Sequence, residues 1–141
     1  MTMKKIIILL SIVAAAISIS GCQIDGALLR TEEYVIKPLD WTIDEVTASM
    51  YVECNADFIT RSVVENGTVS AFYYIEEEGT WAPLPFIRNV TYATGMSTTT
   101  TVESIRFEWF EGKVIFVVED MDARTPLRFS DDKLFRVSVL K

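Results

Sequence analysis

The sequence predicts an all-β fold, an antiparallel β-sandwich of about seven or eight strands with one short helix. Short segments alternate apolar and polar residues, turn-forming residues separate them, and no long segment has the helical period. Half of the 141 residues are apolar and 11% are aromatic, which is enough to fill the core of one domain. Either an immunoglobulin-like or a jelly-roll-like topology would satisfy this pattern.

The strands follow one another from residue 34 to the end of the chain, so residues 34–141 are predicted to form the sandwich. The predicted strands cover residues 34–41, 47–56, 68–75, 81–87, 89–94, 102–110, 113–118 and 133–140. The clearest hairpin joins residues 102–110 to residues 113–118 across Glu111 and Gly112. The segment 95–101 is rich in threonine, which suits a loop or an exposed sheet edge.

Residues 57–67 allow two interpretations. The preferred one is a short helix that Asp57 caps and Gly67 ends, because polar residues interrupt the alternation expected of a strand. The other is a hairpin whose turn is Asn66-Gly67.

The first 21 residues form a predicted secretory signal peptide. Lys4 and Lys5 precede an apolar run over residues 6–19, and small residues follow it. The run is shorter than the roughly 20 residues that a membrane-spanning helix needs. The next residues, 22–33, have no clear period and are predicted to be a tether to the domain.

The end of this signal, Ile19-Ser20-Gly21-Cys22, resembles the bacterial lipobox. In precursors with a lipobox, the cysteine thiol is alkylated by diacylglycerol, the chain is cut before the cysteine, and the new amine is acylated. The resemblance implies that Cys22 carries a covalent lipid that binds the chain to a membrane. Gln23 is not the aspartate that retains such proteins at the inner membrane, so the outer membrane is expected, with its face left open. Ordinary cleavage after Ser20 is the alternative, and it would leave Cys22 unmodified.

The composition excludes several classes of function. The net charge of −7 argues against nucleic acid as a partner, because phosphate binding needs a basic surface. The chain has no histidine, which excludes Ser-His-Asp catalysis, and its two cysteines cannot form an all-cysteine zinc site. We expect no cofactor and no enzymatic activity. Removal of Lys4 and Lys5 with the signal makes the net charge −9, so membrane attachment should depend on the lipid.

Segments spread over the predicted domain are similar to a group of small lipoproteins of Bacteroidetes-type bacteria. They are Trp41, Val63-Val-Glu-Asn-Gly67, Phe72-Tyr-Tyr74, Trp81-Ala-Pro-Leu-Pro-Phe86, Glu103-Ser-Ile-Arg-Phe107 and Phe135-Arg-Val-Ser-Val139. The segment that begins at Trp81 is the most specific of them. The resemblance implies an anchored all-β domain and no catalytic residue. The collagen-like stretch found behind the lipid cysteine in many of the group is missing from this chain.

Aromatic residues are the first candidates for ligand binding. Trp41, Tyr73, Tyr74, Trp81 and Trp109 could form a flat platform on which sugar rings stack, or they could fill the core. Tyr74 and Trp81 flank a predicted turn, so they are the better candidates for the surface. The turn holds three consecutive glutamates, which are expected to be solvated.

Acidic residues and a cysteine are the remaining candidates. Asp120, Asp122, Asp131 and Asp132 could offer oxygen ligands to calcium, although the EF-hand spacing is missing. Nothing selects a carboxylate pair for a hydrolase. Cys54 falls on the apolar face of a predicted strand, which is typical of an inert core residue, and a reactive or disulfide-forming thiol is the alternative.

The predicted function is that of a lipid-anchored envelope protein, a non-enzymatic interaction or structural module with an unidentified protein or glycan partner. The alternative is a carbohydrate-binding accessory lipoprotein that uses Tyr74 and Trp81.

Overall fold

The computed structural model describes residues 29–122, 124, 126 and 128–141. The signal peptide, Cys22 and the start of the tether lie outside the described residues. Within these residues the chain forms an all-β sandwich of nine strands in two antiparallel sheets, so the predicted fold class is confirmed. The strands are β1 (Arg30–Ile36), β2 (Thr42–Asp44), β3 (Ser49–Ala56), β4 (Thr68–Ile75), β5 (Thr80–Pro83), β6 (Phe86–Thr94), β7 (Ser97–Phe110), β8 (Gly112–Asp120) and β9 (Lys133–Leu140).

The strand order is β1-β9-β4-β5 in sheet A and β2-β3-β8-β7-β6 in sheet B. Aromatic rings from both sheets meet between them. Phe116 of β8 stacks on Phe135 of β9 with ring centroids 4.2 Å apart, and Trp41 packs edge-on against Phe135 at 6.0 Å. All three side chains are fully buried. Aromatic residues therefore supply the central part of the core, as expected for a small all-β domain.

The hairpin between β7 and β8 is confirmed. Phe110 pairs with Lys113, which leaves Glu111 and Gly112 as a two-residue turn. Gly112 has φ +80°, a left-handed backbone conformation that glycine adopts without steric cost. Ile105 and its buried inward neighbours alternate with partly buried residues along β7, in agreement with the sequence pattern.

The beginning of the domain differs from the prediction in two respects. The sheet starts at Arg30, because the backbone from Arg30 to Ile36 pairs with β9, so the last four residues assigned to the tether belong to β1. The strand also ends earlier than expected. A 3-10 turn over Pro38–Asp40 follows it, consistent with the fixed backbone angle and missing N–H of Pro38.

The predicted strand over residues 81–87 is divided between the two sheets. Trp81 pairs with Tyr74 in sheet A, whereas Phe86 pairs with Ile105 in sheet B. The chain crosses between the sheets at Leu84 and Pro85, where proline has no N–H with which to continue a ladder.

The short helix α1 (Arg61–Asn66) confirms the helical interpretation of residues 57–67. Thr60 caps the helix, since its hydroxyl accepts the N–H of Val63 at 3.4 Å, so the assignment of the cap to Asp57 was wrong. Asp57 lies in the turn that precedes the helix. Val63 is buried, and this contact fixes α1 against the sandwich.

The sandwich has two distinct ends. At one end, where the chain enters the domain, Arg30 pairs with Val139. The turn between β7 and β8 lies at the same end, and its Gly112 N–H donates to the Ile59 carbonyl at 2.8 Å, near the start of α1. We call this the entry end. The turns after β2, β4 and β6 lie at the opposite end, the far end.

Candidate functional site

Tyr74 and Trp81 are neighbours on the outer face of sheet A. They lie directly opposite each other on β4 and β5, with ring centroids 5.1 Å apart and a tilt of 55° between the rings. Tyr73, the residue before Tyr74, points into the core, so Tyr74 points outward. Both rings are half-buried and lie next to the exposed turn that carries the three glutamates, at the far end of the sandwich.

Arg136 and Glu33 extend this pair across the same face. The guanidinium carbon of Arg136 lies 3.9 Å from the centre of the Trp81 ring, a cation–π contact. Arg136 also donates to Glu33, with 2.6 Å between Nη2 and Oε1. Glu33 is directly opposite Arg136 in the β1–β9 ladder. We call Glu33, Tyr74, Trp81 and Arg136 the outer patch; it combines stacking surfaces with charged hydrogen-bonding groups.

The other aromatic candidates do not belong to the outer patch. Trp41 is 1% exposed and Tyr73 is 4% exposed, so the core interpretation is confirmed for both. Trp109 lies on β7 of sheet B and packs against the core. A flat platform made by all five residues is therefore excluded, and the aromatic candidates on the outer face of sheet A are Tyr74 and Trp81.

A row of charged side chains crosses sheet B on its inner face, and the sequence interpretation missed it. Arg88, Glu103 and Asp120 lie directly opposite one another on β6, β7 and β8. Glu103 is only 2% exposed, and its Oε2 lies 3.1 Å from Nη2 of Arg88. The sequence did contain a signal for this row. Glu103 is two residues from Ile105, which was predicted to point inward, and residues two apart on a strand share a face.

Two hydroxyl groups complete this row. The Tyr92 hydroxyl donates to Oε1 of Glu103, and burial together with this bond raises the pKa of Tyr92. The Thr101 hydroxyl lies 2.7 Å from Oδ1 of Asp120 and 3.0 Å from Oδ2 of Asp122. Glu103 therefore has a hydrogen-bond partner at each carboxylate oxygen.

Burial argues against catalysis by Glu103 and Asp120. A general acid or base must come within hydrogen-bonding reach of a substrate. Glu103 is 2% exposed and Asp120 is 6% exposed. The row of charges is consequently a structural element of the sheet.

The calcium hypothesis receives no support from the geometry. Asp120 and Asp122 lie close together through Thr101, whereas Asp131 and Asp132 are exposed on the segment before β9. In the part of the chain that the structure describes, no three acidic or cysteine side chains are grouped so that they could hold a metal ion.

A cavity of about 290 Å³ lies at the entry end, away from the candidate ligand-binding residues Tyr74 and Trp81. Its lining residues are Arg30, Asp57, Phe58, Thr60, Val63, Val139 and Lys141. The guanidinium carbon of Arg30 lies 5.4 Å from the centre of the Phe58 ring. The volume is at the lower limit of small-molecule sites.

Cys54 is a half-buried, free thiol on the inner face of β3. It packs against the core, and burial raises its pKa to about 11. The prediction that Cys54 lies on the apolar strand face is confirmed, and the raised pKa keeps the thiol protonated and unreactive at neutral pH.

Comparisons with protein-family models, with curated proteins and with solved structures found no match to this chain. None of the helices among the described residues has the length and apolar character needed to cross a bilayer.

Proposed function

We propose that the chain is a lipid-anchored protein of the bacterial envelope, a non-enzymatic module that binds a protein partner through the outer patch. The observation that carries this proposal is the position of the patch. Partly exposed Tyr74 and Trp81 lie at the far end of the sandwich, opposite the end where the chain enters at Arg30. A protein held at its entry end would present these rings away from the membrane.

The composition of the two outer faces supports this choice of surface. Sheet B carries ion pairs on its outer face, among them Arg106 with Glu119 at 2.9 Å and Lys113 with Glu53 at 3.2 Å. Arg136 and Glu33 form a comparable pair on sheet A, so what distinguishes sheet A is the adjacent aromatic pair of Tyr74 and Trp81. Aromatic side chains and arginine are enriched in protein interfaces, and the outer patch has both.

The position of Cys22 supports attachment close to the bilayer. The chain from Cys22 to Arg30 spans at most about 28 Å when fully extended. Three consecutive glutamates lie at the far end, where an anionic membrane repels them least.

The anchoring part of the proposal is tested by replacing Cys22 with serine. We expect the wild-type chain in the membrane fraction, with an intact mass that includes diacylglycerol and a further acyl chain. The Cys22→Ser variant should lose both properties, and the matched Cys54→Ser variant should keep them. Unmodified wild-type protein in the aqueous fraction would refute the anchor.

The binding part is tested by photo-crosslinking in cells. A photoreactive amino acid at Tyr74 should give a discrete protein adduct. The same amino acid at Tyr51, an exposed aromatic residue on the outer face of sheet B, should give none. Equal adducts from the two positions, or none from either, would contradict the use of the outer patch.

Carbohydrate binding is the second candidate, and Arg136 and Glu33 favour it. Sugar recognition combines an aromatic ring for stacking with charged groups for the hydroxyls, and here Arg136 contacts both Trp81 and Glu33. A glycan array followed by titration calorimetry tests it. Trp81→Ala should abolish binding while Tyr51→Ala leaves it unchanged; no glycan bound by the wild type would exclude this candidate.

A further inference from the structure

The four edge strands of the sandwich differ in how well they are protected from pairing with another chain. An open edge exposes unpaired N–H and C=O groups, and charges, prolines or short length normally block it. In β1, Arg30, Glu32 and Glu33 supply three charges, β2 has only three residues, and β5 has four residues and ends at Pro83. These three edges are protected.

The edge formed by β6 is the least protected of the four. It is nine residues long, contains no proline, and has a single charged residue, Arg88. The Arg88 side chain points inward, where Glu103 of the neighbouring strand neutralises it, so pairing at this edge would not bury an uncompensated charge. Of the described strands, β7 alone is hydrogen-bonded to β6.

The turn after β6 determines which backbone groups face the open side. Thr94 and Ser97 are paired across the two-residue turn at Gly95 and Met96, so Thr94 exchanges hydrogen bonds with β7. Alternation along the strand then directs the N–H and C=O groups of Ile87, Asn89, Thr91 and Ala93 toward the open edge.

We propose that β6 pairs antiparallel with β6 of a second copy of this chain and joins the two five-stranded sheets into one. Val90 is the midpoint of Phe86–Thr94, so a twofold axis at Val90 pairs the whole strand. All four residues with open backbone groups then find partners. Ile87 faces Ala93 and Asn89 faces Thr91 of the second copy.

Side-chain chemistry in this register favours a second copy as the occupant. No like charges meet, because Arg88 faces Tyr92 of the second copy and no other residue of β6 is charged. The exposed side chains of Ile87 and Ala93 meet across the pair, so the pairing covers an isoleucine that is 60% exposed in the single chain. β1, with which the described chain begins, belongs to the other sheet and does not occupy this edge.

Charge substitutions at Asn89 and Thr91 test both the surface and the register. Both side chains are exposed, and they face each other twice across the proposed axis. The Asn89→Lys/Thr91→Lys variant places lysine opposite lysine, and we expect it to raise the dimer dissociation constant about tenfold or more. The Asn89→Lys/Thr91→Glu variant places lysine opposite glutamate and should restore the dimer.

The measurement is sedimentation equilibrium of the full chain in detergent, with circular dichroism to verify that each variant is folded. Val35→Lys, at an exposed position on the β1 edge, is the control and should leave the dimer unchanged. A wild-type chain that stays monomeric, or a dimer that the double-lysine variant leaves intact, overturns the proposal. Loss of the dimer in both double variants overturns the register centred on Val90.

Discussion

Glu103 illustrates how a buried charge is accommodated in this sandwich. A carboxylate removed from water is costly unless opposite charge and hydrogen bonds compensate it. Arg88 pairs with one oxygen of Glu103 and the Tyr92 hydroxyl donates to the other. The Arg88 guanidinium also lies 5.1 Å from the centre of the Phe129 ring, so this residue connects β6 to the segment before β9.

Substitution of Glu103 by glutamine should therefore be strongly destabilising. It leaves Arg88 without its counter-charge in a mostly buried site, and we expect a loss of about 3 kcal/mol in the free energy of unfolding. The matched control is Glu119→Gln, which breaks the exposed pair with Arg106 and should cost about 0.5 kcal/mol. Urea denaturation measures both, and equal losses would contradict the structural role of Glu103.

Cys54 and Tyr34 make the free energy of unfolding vary with pH in the alkaline range. Burial raises the pKa of Cys54 from 9.0 to about 11 and that of Tyr34 from 10.0 to about 12. Each raised pKa means that the folded state prefers the neutral form. Their contribution to the free energy of unfolding is therefore complete when the pH is below the pKa values of the unfolded state. It is lost as the pH rises through the pKa values of the folded state.

The expected result is a free energy of unfolding that is flat up to about pH 9 and falls between about pH 9 and 12. In Cys54→Ala the decrease should begin about one pH unit later, because the remaining groups whose raised pKa affects this range are tyrosines. Urea denaturation of both proteins across this range is the test. Identical pH profiles would refute the contribution of Cys54.

Single elements differ in how far their own sequence determines them. The β7–β8 hairpin could be predicted because its signals are local, namely the alternation around Ile105 and the turn glycine, Gly112. The division of residues 81–87 between two sheets could not, since nothing within the segment specifies which sheet Phe86 will join. That choice depends on pairing with β7, which follows later in the chain.

The candidate site shows the same division between local and distant information. Tyr74 and Trp81 could be predicted as surface neighbours because they flank one turn. The contribution of Arg136 and Glu33 could not be predicted, since β1 and β9 lie far from them in sequence and meet them only in sheet A.

Helix α1 offers a test of the cap, which the sequence pattern assigned to Asp57 and the structure assigns to Thr60. Thr60→Ala removes the side-chain oxygen that accepts the Val63 N–H, and we expect a loss of about 1 kcal/mol. Asp57→Ala, three residues earlier, should change stability by only a few tenths of a kcal/mol, about the size typical of surface substitutions. Urea denaturation of the two variants is the measurement. A larger loss of stability in Asp57→Ala than in Thr60→Ala would show that Asp57 is the cap.

At the scale of the whole molecule, the two sheets share one core rather than forming independent units. Phe135 of sheet A contacts Phe116 of sheet B, Trp41 of the connection between β1 and β2, and Tyr73 of its own sheet. Because sheet A buries its inner face against sheet B and the connection that carries Trp41, neither sheet should be stable alone. The domain is therefore expected to unfold in one cooperative transition.

Phe135→Leu tests this coupling without emptying the core. Loss of the ring contacts should reduce the free energy of unfolding by about 1–3 kcal/mol, whereas Phe110→Leu, at a residue that is 50% exposed, should cost about 0.5 kcal/mol or less. Urea unfolding is followed by tryptophan fluorescence, in which buried Trp41 reports the shared core, and by circular dichroism, which reports both sheets. The two signals should shift together in Phe135→Leu, because a weakened core destabilises both sheets at once. Different urea midpoints from fluorescence and from circular dichroism would mean that one sheet persists without the other.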